Sequence, residues 1–206
     1  FGNGYNNVSP GNGHAILYVV FIENGIDGAW TLGTDFIKID TNVGSTVTPN
    51  GLATPGVIDI NRDFIADYIY AGDLLGNVWR FGVRSATASD WWLATKRSVL
   101  FTANAGQPVT TRPIVGRHPL GGRLVYFGTG KFLEAVDNNV SGAVTQSFYA
   151  IWDQGTGATV PRTDLLQQQI EVIRTNADYS LRVITNNQIN WRISSSTPPS
   201  HLGWYL

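Results

Sequence analysis

The fold is decided by residues 59–81, which read Asp59-Ile-Asn-Arg-Asp-Phe-Ile-Ala-Asp67 and then Tyr68-Ile-Tyr-Ala-Gly-Asp-Leu-Leu-Gly-Asn-Val-Trp-Arg-Phe81. In the second half, two apolar and aromatic runs flank a turn that contains Gly72-Asp73 and Gly76-Asn77. Short β-branched and aromatic runs separated by such a turn are typical of a β-hairpin. The first half is a polar loop with oxygen-bearing side chains at its first, third, fifth and ninth positions. The stretch therefore predicts a strand pair preceded by a loop of oxygen ligands.

The same order of elements recurs along the chain. Turn sequences similar to Tyr70-Ala-Gly-Asp73 occur at Phe1-Gly-Asn-Gly4 and Phe127-Gly-Thr-Gly130, and each precedes an aromatic strand. Thr54-Pro55 and Arg112-Pro113 introduce two of these units. A repeat of roughly 50–70 residues that holds four short strands is typical of a β-propeller blade. We therefore predict an all-β chain with about three four-stranded blades of a larger propeller, in which residues 1–206 start and end inside blades.

Short strands are predicted between these turns. The predicted strands cover residues 15–22, 35–40, 68–71, 78–83, 98–103, 124–127 and 147–153, with a further strand pair over 172–184. Residues 161–173 are compatible with either an outer strand or a short helix. The Ser/Pro tract at 194–200 is expected to be a loop before the next blade, and residues 203–206 look like the opening of a strand.

Composition excludes several classes of function. The chain has 206 residues and a formal net charge of −1, so it lacks the broad basic footprint expected of a protein that binds nucleic acid or anionic lipid. No apolar run is long enough to span a membrane. Cysteine is absent, which excludes disulfides, thiolate metal sites and cysteine nucleophiles. We see no nucleophile elbow and no histidine near a candidate nucleophile, so the sequence predicts a protein that is not an enzyme.

The polar loop is the candidate metal site. Calcium takes six to eight oxygen ligands, and the loop offers the side chains of Asp59, Asn61, Asp63 and Asp67 together with the backbone carbonyl of Ile65. Mg²⁺ is disfavoured because it keeps several waters and uses few protein ligands. An alternative interpretation is a turn whose Asp and Asn side chains accept hydrogen bonds only from its own amides.

Two residues of this loop depart from an EF-hand. An EF-hand places glycine at the sixth position, where the bend is sharp, but Phe64 stands there in this chain. Arg62 precedes Asp63 and would lower calcium affinity if its guanidinium pointed into the loop.

Other polar and aromatic residues have structural interpretations. Asp73 and Asn77 are predicted to brace the hairpin turn around Gly76. The segment 128–131 is similar to a phosphate-binding loop but has Phe132 where that motif needs Ser or Thr. Four large aromatic residues are predicted to form blade core rather than a stacking platform for a sugar or base, and they are Tyr70, Trp79, Tyr149 and Trp152. The three histidines, His14, His118 and His201, have no metal-ligand spacing and are expected on the surface or in turns.

Residues 59–81 closely resemble the C-terminal β-propeller of the PilC/PilY family of type IV pilus proteins. Further matches run along most of the chain, and they are Phe1-Gly-Asn-Gly-Tyr5, Pro49-Asn-Gly-Leu52, Gly106-Gln-Pro108, Arg112-Pro113, Phe127-Gly-Thr-Gly-Lys-Phe-Leu-Glu134 and Gln146-Ser-Phe-Tyr-Ala-Ile-Trp-Asp153. The resemblance implies a modified seven-bladed propeller at the C-terminal end of a large exported bacterial protein.

This resemblance also implies a function and a setting. Members act in pilus biogenesis, adhesion and twitching motility, at the pilus tip (fimbrium) or at the outer membrane and cell surface. The implied partners are the remaining blades and N-terminal region of the same protein, the pilins and minor pilins, and a host-cell receptor. The family's calcium loop corresponds to Asp59, Asn61, Asp63, the Ile65 carbonyl and Asp67, and its occupancy is expected to control pilus extension against retraction.

A quinone-dependent dehydrogenase is the alternative, because its propeller also binds calcium. Such an enzyme would need a ring of tryptophan-docking repeats, a catalytic aspartate and a tryptophan stacked on the cofactor. The sequence shows neither the ring nor that pair of residues.

Overall fold

A computed structural model describes residues 1–5, 7–91, 96–176, 178–191 and 201–206, without the side chains at 89 and 172. The described chain is built from antiparallel sheets joined by turns. Its strands are β1 His14–Val20, β2 Phe36–Gly44, β3 Gly56–Ile58, β4 Tyr68–Gly72, β5 Asn77–Gly82, β6 Arg97–Thr102, β7 Ile114–Arg117, β8 Arg123–Gly128, β9 Phe148–Asp153, β10 Leu166–Gln167, β11 Ile170–Thr175, β12 Ser180–Ile184 and β13 Gly203–Tyr205. Short 3₁₀ turns lie at Asn24–Asp27, Ala88–Asp90, Ala135–Asn138 and Arg162–Asp164. The all-β prediction is confirmed.

The first blade is represented by β1 and β2, which pair antiparallel. Gly2 forms a bridge to Leu17, so the N-terminal residues lie along the other edge of β1. Alternate residues of β2 are buried, as the predicted half-buried strand requires, and Ile37 and Ile39 face the core.

The second blade is a four-stranded sheet in the order β3-β4-β5-β6. Its two central strands are buried along nearly their whole length because other sheets cover both faces. The predicted hairpin is therefore confirmed, with residues 73–76 as its turn. The polar loop, residues 59–67, connects β3 to β4 at the opposite end of the blade.

The third blade contains β7, β8 and β9, and its next strand in space is β13, from the end of the chain. A strand does form at Gly203–Tyr205, as expected for 203–206, but it pairs with β9 of the same blade and does not begin another. A Cβ at Gly203 would lie 2.1 Å from the carbonyl oxygen of Ala150, so glycine permits this close pairing. The predicted loop at 194–200 lies outside the described residues.

The connection from β9 to β13 contains residues 161–173, for which the sequence allowed either an outer strand or a short helix. A 3₁₀ turn at Arg162–Asp164 leads into β10, which runs parallel to β13. The chain then forms the hairpin β11–β12, the strand pair predicted for 172–184, and its described side chains are largely exposed. Both a short helical turn and an outer strand are thus present in 161–173.

Two hydrophobic cores hold the three blades together face to face. The core between the first and second blades has Leu17, Ile39, Trp79 and Phe81 among its members. The core between the second and third blades is larger, and includes Tyr70, Leu100, Phe101, Val109, Val125, Phe127, Tyr149 and Ile151. At about 1.5–3 kcal/mol for each large apolar side chain, this burial is the main stabilising term between neighbouring sheets.

Backbone bridges also join the blades at the end where the 73–76 turn lies. Leu52 pairs with Asp73, and Val109 pairs with Gly130, so each linker between blades bridges to the turn of the following blade. The amide of Val109 donates to the carbonyl of Asp73 at 2.9 Å. These contacts fix the spacing of adjacent blades.

Within the described residues, no helix has the length and apolar character needed to cross a membrane.

Candidate functional site

The polar loop contains all five predicted metal ligands, and it bends sharply in the middle. Arg62 has a φ of 65° and Phe64 a φ of 69°, so both lie in the left-handed region that favours glycine. The loop therefore makes its bend at the sixth position although a phenylalanine stands there. The side chain of Phe64 is 98% exposed and so makes almost no packing contact.

The carboxylates of the loop accept hydrogen bonds from its own backbone. Asp59 accepts from the amides of Arg62 at 2.6 Å and Phe64 at 2.8 Å. Asp63 accepts from the amide of Ile65 at 2.8 Å and from the side-chain amide of Asn61 at 2.8 Å. The Ile65 amide, followed by Asn61, lowers the pKa of Asp63 below its ordinary value. These bonds hold the loop together as an Asx-rich turn.

Asp67 ties the loop to the sheet. Its carboxylate accepts from the amide of Ile60 at 2.6 Å and lies 3.0 Å from the Nε atom of Arg84. Its backbone amide donates to Ile58, and its carbonyl accepts from Val83, which places it at the end of the β3–β4–β5 ladder. Arg84 was missed by the sequence analysis. The only signal was its position just after β5, because β5 pairs with β4, the strand that follows the loop.

The donor types of the loop fit a hard cation, but their arrangement is that of a turn closed on itself. Each carboxylate has about four acceptor positions, so the bonds to amides leave lone pairs for an ion. Across the described residues, however, no three Asp, Glu, His or Cys side chains are gathered as one ion would require. A calcium ion here would take the side chains of Asp59, Asn61, Asp63 and Asp67 with the Ile65 carbonyl, and it would compete with Arg84 for Asp67. Arg62 makes no ion pair with these acids among the described residues.

This arrangement of blades and loop has counterparts in known proteins. A family model described as the PilY1 beta-propeller domain matches residues 1–178, which is most of the chain. The chain belongs to this family.

Curated proteins named PilY1 match this chain over its whole length. The type IV pilus biogenesis factor PilY1 of Pseudomonas aeruginosa strain PAO1 is 32% identical over 100% of this chain and 19% of its own length. A PilY1 homologue from Xylella fastidiosa is 30% identical over 100% of this chain and 14% of its own length. The chain thus spans less than a fifth of these relatives.

A solved structure shows the same fold. The crystal structure of the P. aeruginosa PilY1 C-terminal domain matches 100% of this chain and 46% of that domain, with a TM-score of 0.76 and 32% identity. The predicted resemblance and fold class are confirmed by these matches.

In this member of the PilY1 propeller family, Asp73 is the centre of the hairpin turn that sequence predicted. The residue is fully buried, and its carboxylate accepts from the amides of Leu75 and Asn77. It also accepts from Asn50 Nδ2 at 3.0 Å, in the linker that follows the first blade, and from Trp79 Nε1 at 2.8 Å, in its own blade. The predicted bracing role is confirmed, and it extends to the junction with the preceding blade.

A buried charged cluster between the second and third blades was missed by sequence analysis. Asp153 on β9 lies 2.7 Å from Arg80 on β5 and 3.2 Å from Arg123 on β8. The hydroxyl of Tyr70 donates to the same carboxylate at 2.5 Å. Burial, followed by the charge of Asp153, raises the pKa of Tyr70, so this phenol stays neutral. No sequence spacing indicates the cluster, because its members come from four strands.

His118 lies in a turn, as expected, but it is not on the surface. The residue is only 3% exposed and stacks on Trp152 with ring centroids 4.0 Å apart. Its Nδ1 accepts from the amide of Leu120 at 3.1 Å, and Nε2 is buried without a partner among the described residues. Burial lowers the pKa of the imidazole. The turn folds back over the blade, and this contact with Trp152 buries a histidine that the sequence placed on the surface or in a turn.

The four aromatic residues predicted to be core are buried, and three of them, Tyr70, Trp79 and Tyr149, lie in the two cores between blades. Tyr70 and Tyr149 are fully buried, and Trp79 and Trp152 nearly so. Tyr149 stacks on Phe127, which belongs to the repeated turn sequence.

Proposed function

We propose that the chain is a calcium-binding part of the β-propeller of a type IV pilus biogenesis protein, acting without catalysis. The observation that supports this proposal is the Asp59–Asp67 loop, which inserts an oxygen-rich turn into one blade of a PilY1-family propeller. The equivalent connection of the third blade, residues 118–122, contains no acid. A single ion in one blade would suit local stabilisation or regulation better than a structural ion in every repeat.

Titration calorimetry with Ca²⁺ tests the metal site directly. We expect saturable binding to the intact chain and a large loss of affinity in Asp63→Ala, because this carboxylate is central in the ligand set and exposed. Asp178→Ala is the matched control, since it removes an exposed aspartate from the β11–β12 hairpin. An absence of binding at millimolar calcium, or equal binding by Asp63→Ala, would contradict the metal proposal.

Thermal unfolding gives a second measurement. A ligand that binds only the folded state adds RT ln(1 + [L]/Kd), about 2.7 kcal/mol at a concentration of 100 Kd. Calcium should therefore raise the melting temperature of the wild-type chain and of Asp178→Ala, but not that of Asp63→Ala.

The biological role that we propose is that of the family's pilus biogenesis factors. Calcium occupancy of the loop would modulate pilus extension against retraction, and with it twitching motility and attachment. The proposed partners are further blades and an N-terminal region of the same protein, pilins or minor pilins, and a host-cell receptor. The proposed location is the outer surface of the cell and the pilus tip, after export.

A chromosomal Asp63→Ala substitution in the source organism tests this role. We expect surface pili and twitching zones to change while protein abundance, followed by immunoblot, stays constant. Unchanged piliation and twitching, in a strain whose purified protein has lost calcium binding, would overturn the regulatory role and leave the metal site standing.

A further inference from the structure

A cleft with a volume of about 550 Å³ opens between the second and third blades, beside the polar loop. We call it the interblade cleft. Its walls come from the loop at Asp59–Arg62, the turn at residues 116–123 and the segment after β9. Glycines form much of the wall, including Gly116, Gly121, Gly122 and Gly155, so backbone can approach a bound group closely.

The charged lining of the cleft is strongly one-sided. One carboxylate, Asp59, faces four guanidinium groups, and these belong to Arg62, Arg84, Arg117 and Arg123. A smaller neighbouring cleft of about 280 Å³ shares Arg84 and adds two further cations, Arg80 and Lys96. Clefts lined by one sign of charge concentrate counter-ions. The chain as a whole has a net charge of −1, so this concentration of cations is local.

Two of the arginines have their guanidinium groups available. Arg62 and Arg117 are exposed, and neither side chain forms an ion pair or hydrogen bond among the described residues. Arg84 also lines the cleft, and its Nε lies 3.0 Å from Asp67.

The buried cluster behind the cleft carries an uncompensated positive charge. Arg80 and Arg123 share the single carboxylate of Asp153, and Tyr70 beside them is neutral. The other groups that face the cluster are neutral as well: Ser98 accepts from Arg80, and the ring of Tyr68 lies 4.4 Å from the Arg123 guanidinium carbon. No second carboxylate of the described chain reaches either arginine. One carboxylate balances only one of the two buried guanidiniums, and a net buried charge is costly, so the cluster favours an anion in the adjoining cleft.

Arg123 links the cluster to the cleft. Its side chain lines the cleft although it is 93% buried, with a relative exposure of 7%. Its Nε is a buried donor without an acceptor in the described structure, while one terminal nitrogen binds Asp153. Unsatisfied donors of this kind are rare in folded proteins and call for an explanation.

We propose that the interblade cleft binds a phosphate or sulfate group, either as a free ion or as a monoester on a small molecule. The cleft favours a doubly charged group because the guanidiniums of Arg62 and Arg117 are available and the buried cluster has an excess positive charge. Arginine suits such oxyanions because its planar donors make paired, charge-assisted hydrogen bonds. The cleft shares Asp59 and Arg62 with the polar loop, but the proposal requires no calcium in that loop.

Calorimetric titration of the intact chain with sodium sulfate tests the proposal, with ionic strength kept constant by sodium chloride. We expect saturable binding that weakens about tenfold or more in Arg117→Gln and again in Arg62→Gln, the factor that one charge-assisted hydrogen bond provides. Arg174→Gln, which removes an exposed charge from the β11–β12 hairpin, should bind as the wild type does. Both cleft arginines are exposed, so their substitution should leave the fold intact.

Several outcomes would overturn the proposal: no saturable binding of sulfate, an equal loss in Arg174→Gln, or acetate binding as tightly as sulfate. A parallel titration with a sugar 6-sulfate distinguishes the source of the group. Tighter binding of the ester than of the free ion would identify a ligand-borne group, and the reverse would identify a free-ion site. Either result supports the cleft as an oxyanion site.

Discussion

The Nε atom of Arg84 lies 3.0 Å from Oδ1 of Asp67, the last predicted metal ligand of the polar loop. The arginine follows β5, and the aspartate precedes β4, so the ion pair crosses the hairpin that carries the loop. A guanidinium thus binds one of the carboxylates assigned to the proposed metal site. Calcium at that site would have to compete with this internal cation.

We predict that Arg84→Gln binds calcium several-fold more tightly than the wild type. The substitution removes both the competition for Asp67 and a positive charge near the ion. The effect is modest because the arginine side chain is largely exposed, and exposed ion pairs contribute about 0.2–1 kcal/mol. Calorimetry against the Arg174→Gln control measures it. Weaker binding would show instead that Arg84 orients Asp67 for the metal.

Phe64→Gly should stabilise the metal-free chain by about 0.5–1 kcal/mol. The left-handed φ of Phe64 costs a non-glycine residue about 1–2 kcal/mol, and glycine recovers this at a smaller cost in chain entropy. Little packing is lost because the side chain is almost fully exposed. Urea unfolding measures the change.

Ile65→Gly is the control for that experiment. Ile65 is exposed and has no left-handed φ, so glycine there should destabilise the chain by about 0.5–1 kcal/mol. Equal effects of the two substitutions would contradict the strain assigned to Phe64.

Asp73→Ala should destabilise the chain by about 3–5 kcal/mol. The substitution leaves buried donors of Asn50 and Trp79 without their acceptor, and unpaired buried groups of this kind are costly. Asp73→Asn should also be destabilising, since its amide nitrogen would face another donor. Chemical denaturation would show both losses, whereas Asp178→Ala should stay within about 0.5 kcal/mol of wild type. A small loss in Asp73→Ala would mean that water replaces the carboxylate.

His118 should titrate below 6.5, its ordinary pKa, because burial disfavours the imidazolium. The unfolded chain then binds more protons than the folded chain as pH falls below 6.5. The stability contributed by neutral His118 is therefore complete above that pH and is lost as pH falls through the folded pKa. NMR titration of the His118 ring measures the midpoint, with a His118→Phe variant to assign the signal. A midpoint at or above 6.5 would contradict the buried placement.

Local pattern was enough to predict the strands and the blade repeat. The alternation in β2, the hairpin around Gly76 and the aromatic strand after each repeated turn depend on neighbours close in sequence. The same holds for the bracing role of Asp73, whose contacts with Leu75 and Asn77 are local. The partner of β13 could not be predicted, because its local sequence does not show whether the strand pairs with β9 or begins another blade.

The sequence by itself determined the fold class, the family and the five oxygen donors of the loop, since each is a property of short segments and their spacing. Only the tertiary structure decided which arginines form ion pairs with Asp67 and Asp153. Arg84 reaches Asp67 across a hairpin, and Asp153 meets Arg80 and Arg123 only because two sheets pack face to face. Charge pairing depends on distance in space, and burial sets its strength, so neither could be derived from the order of residues.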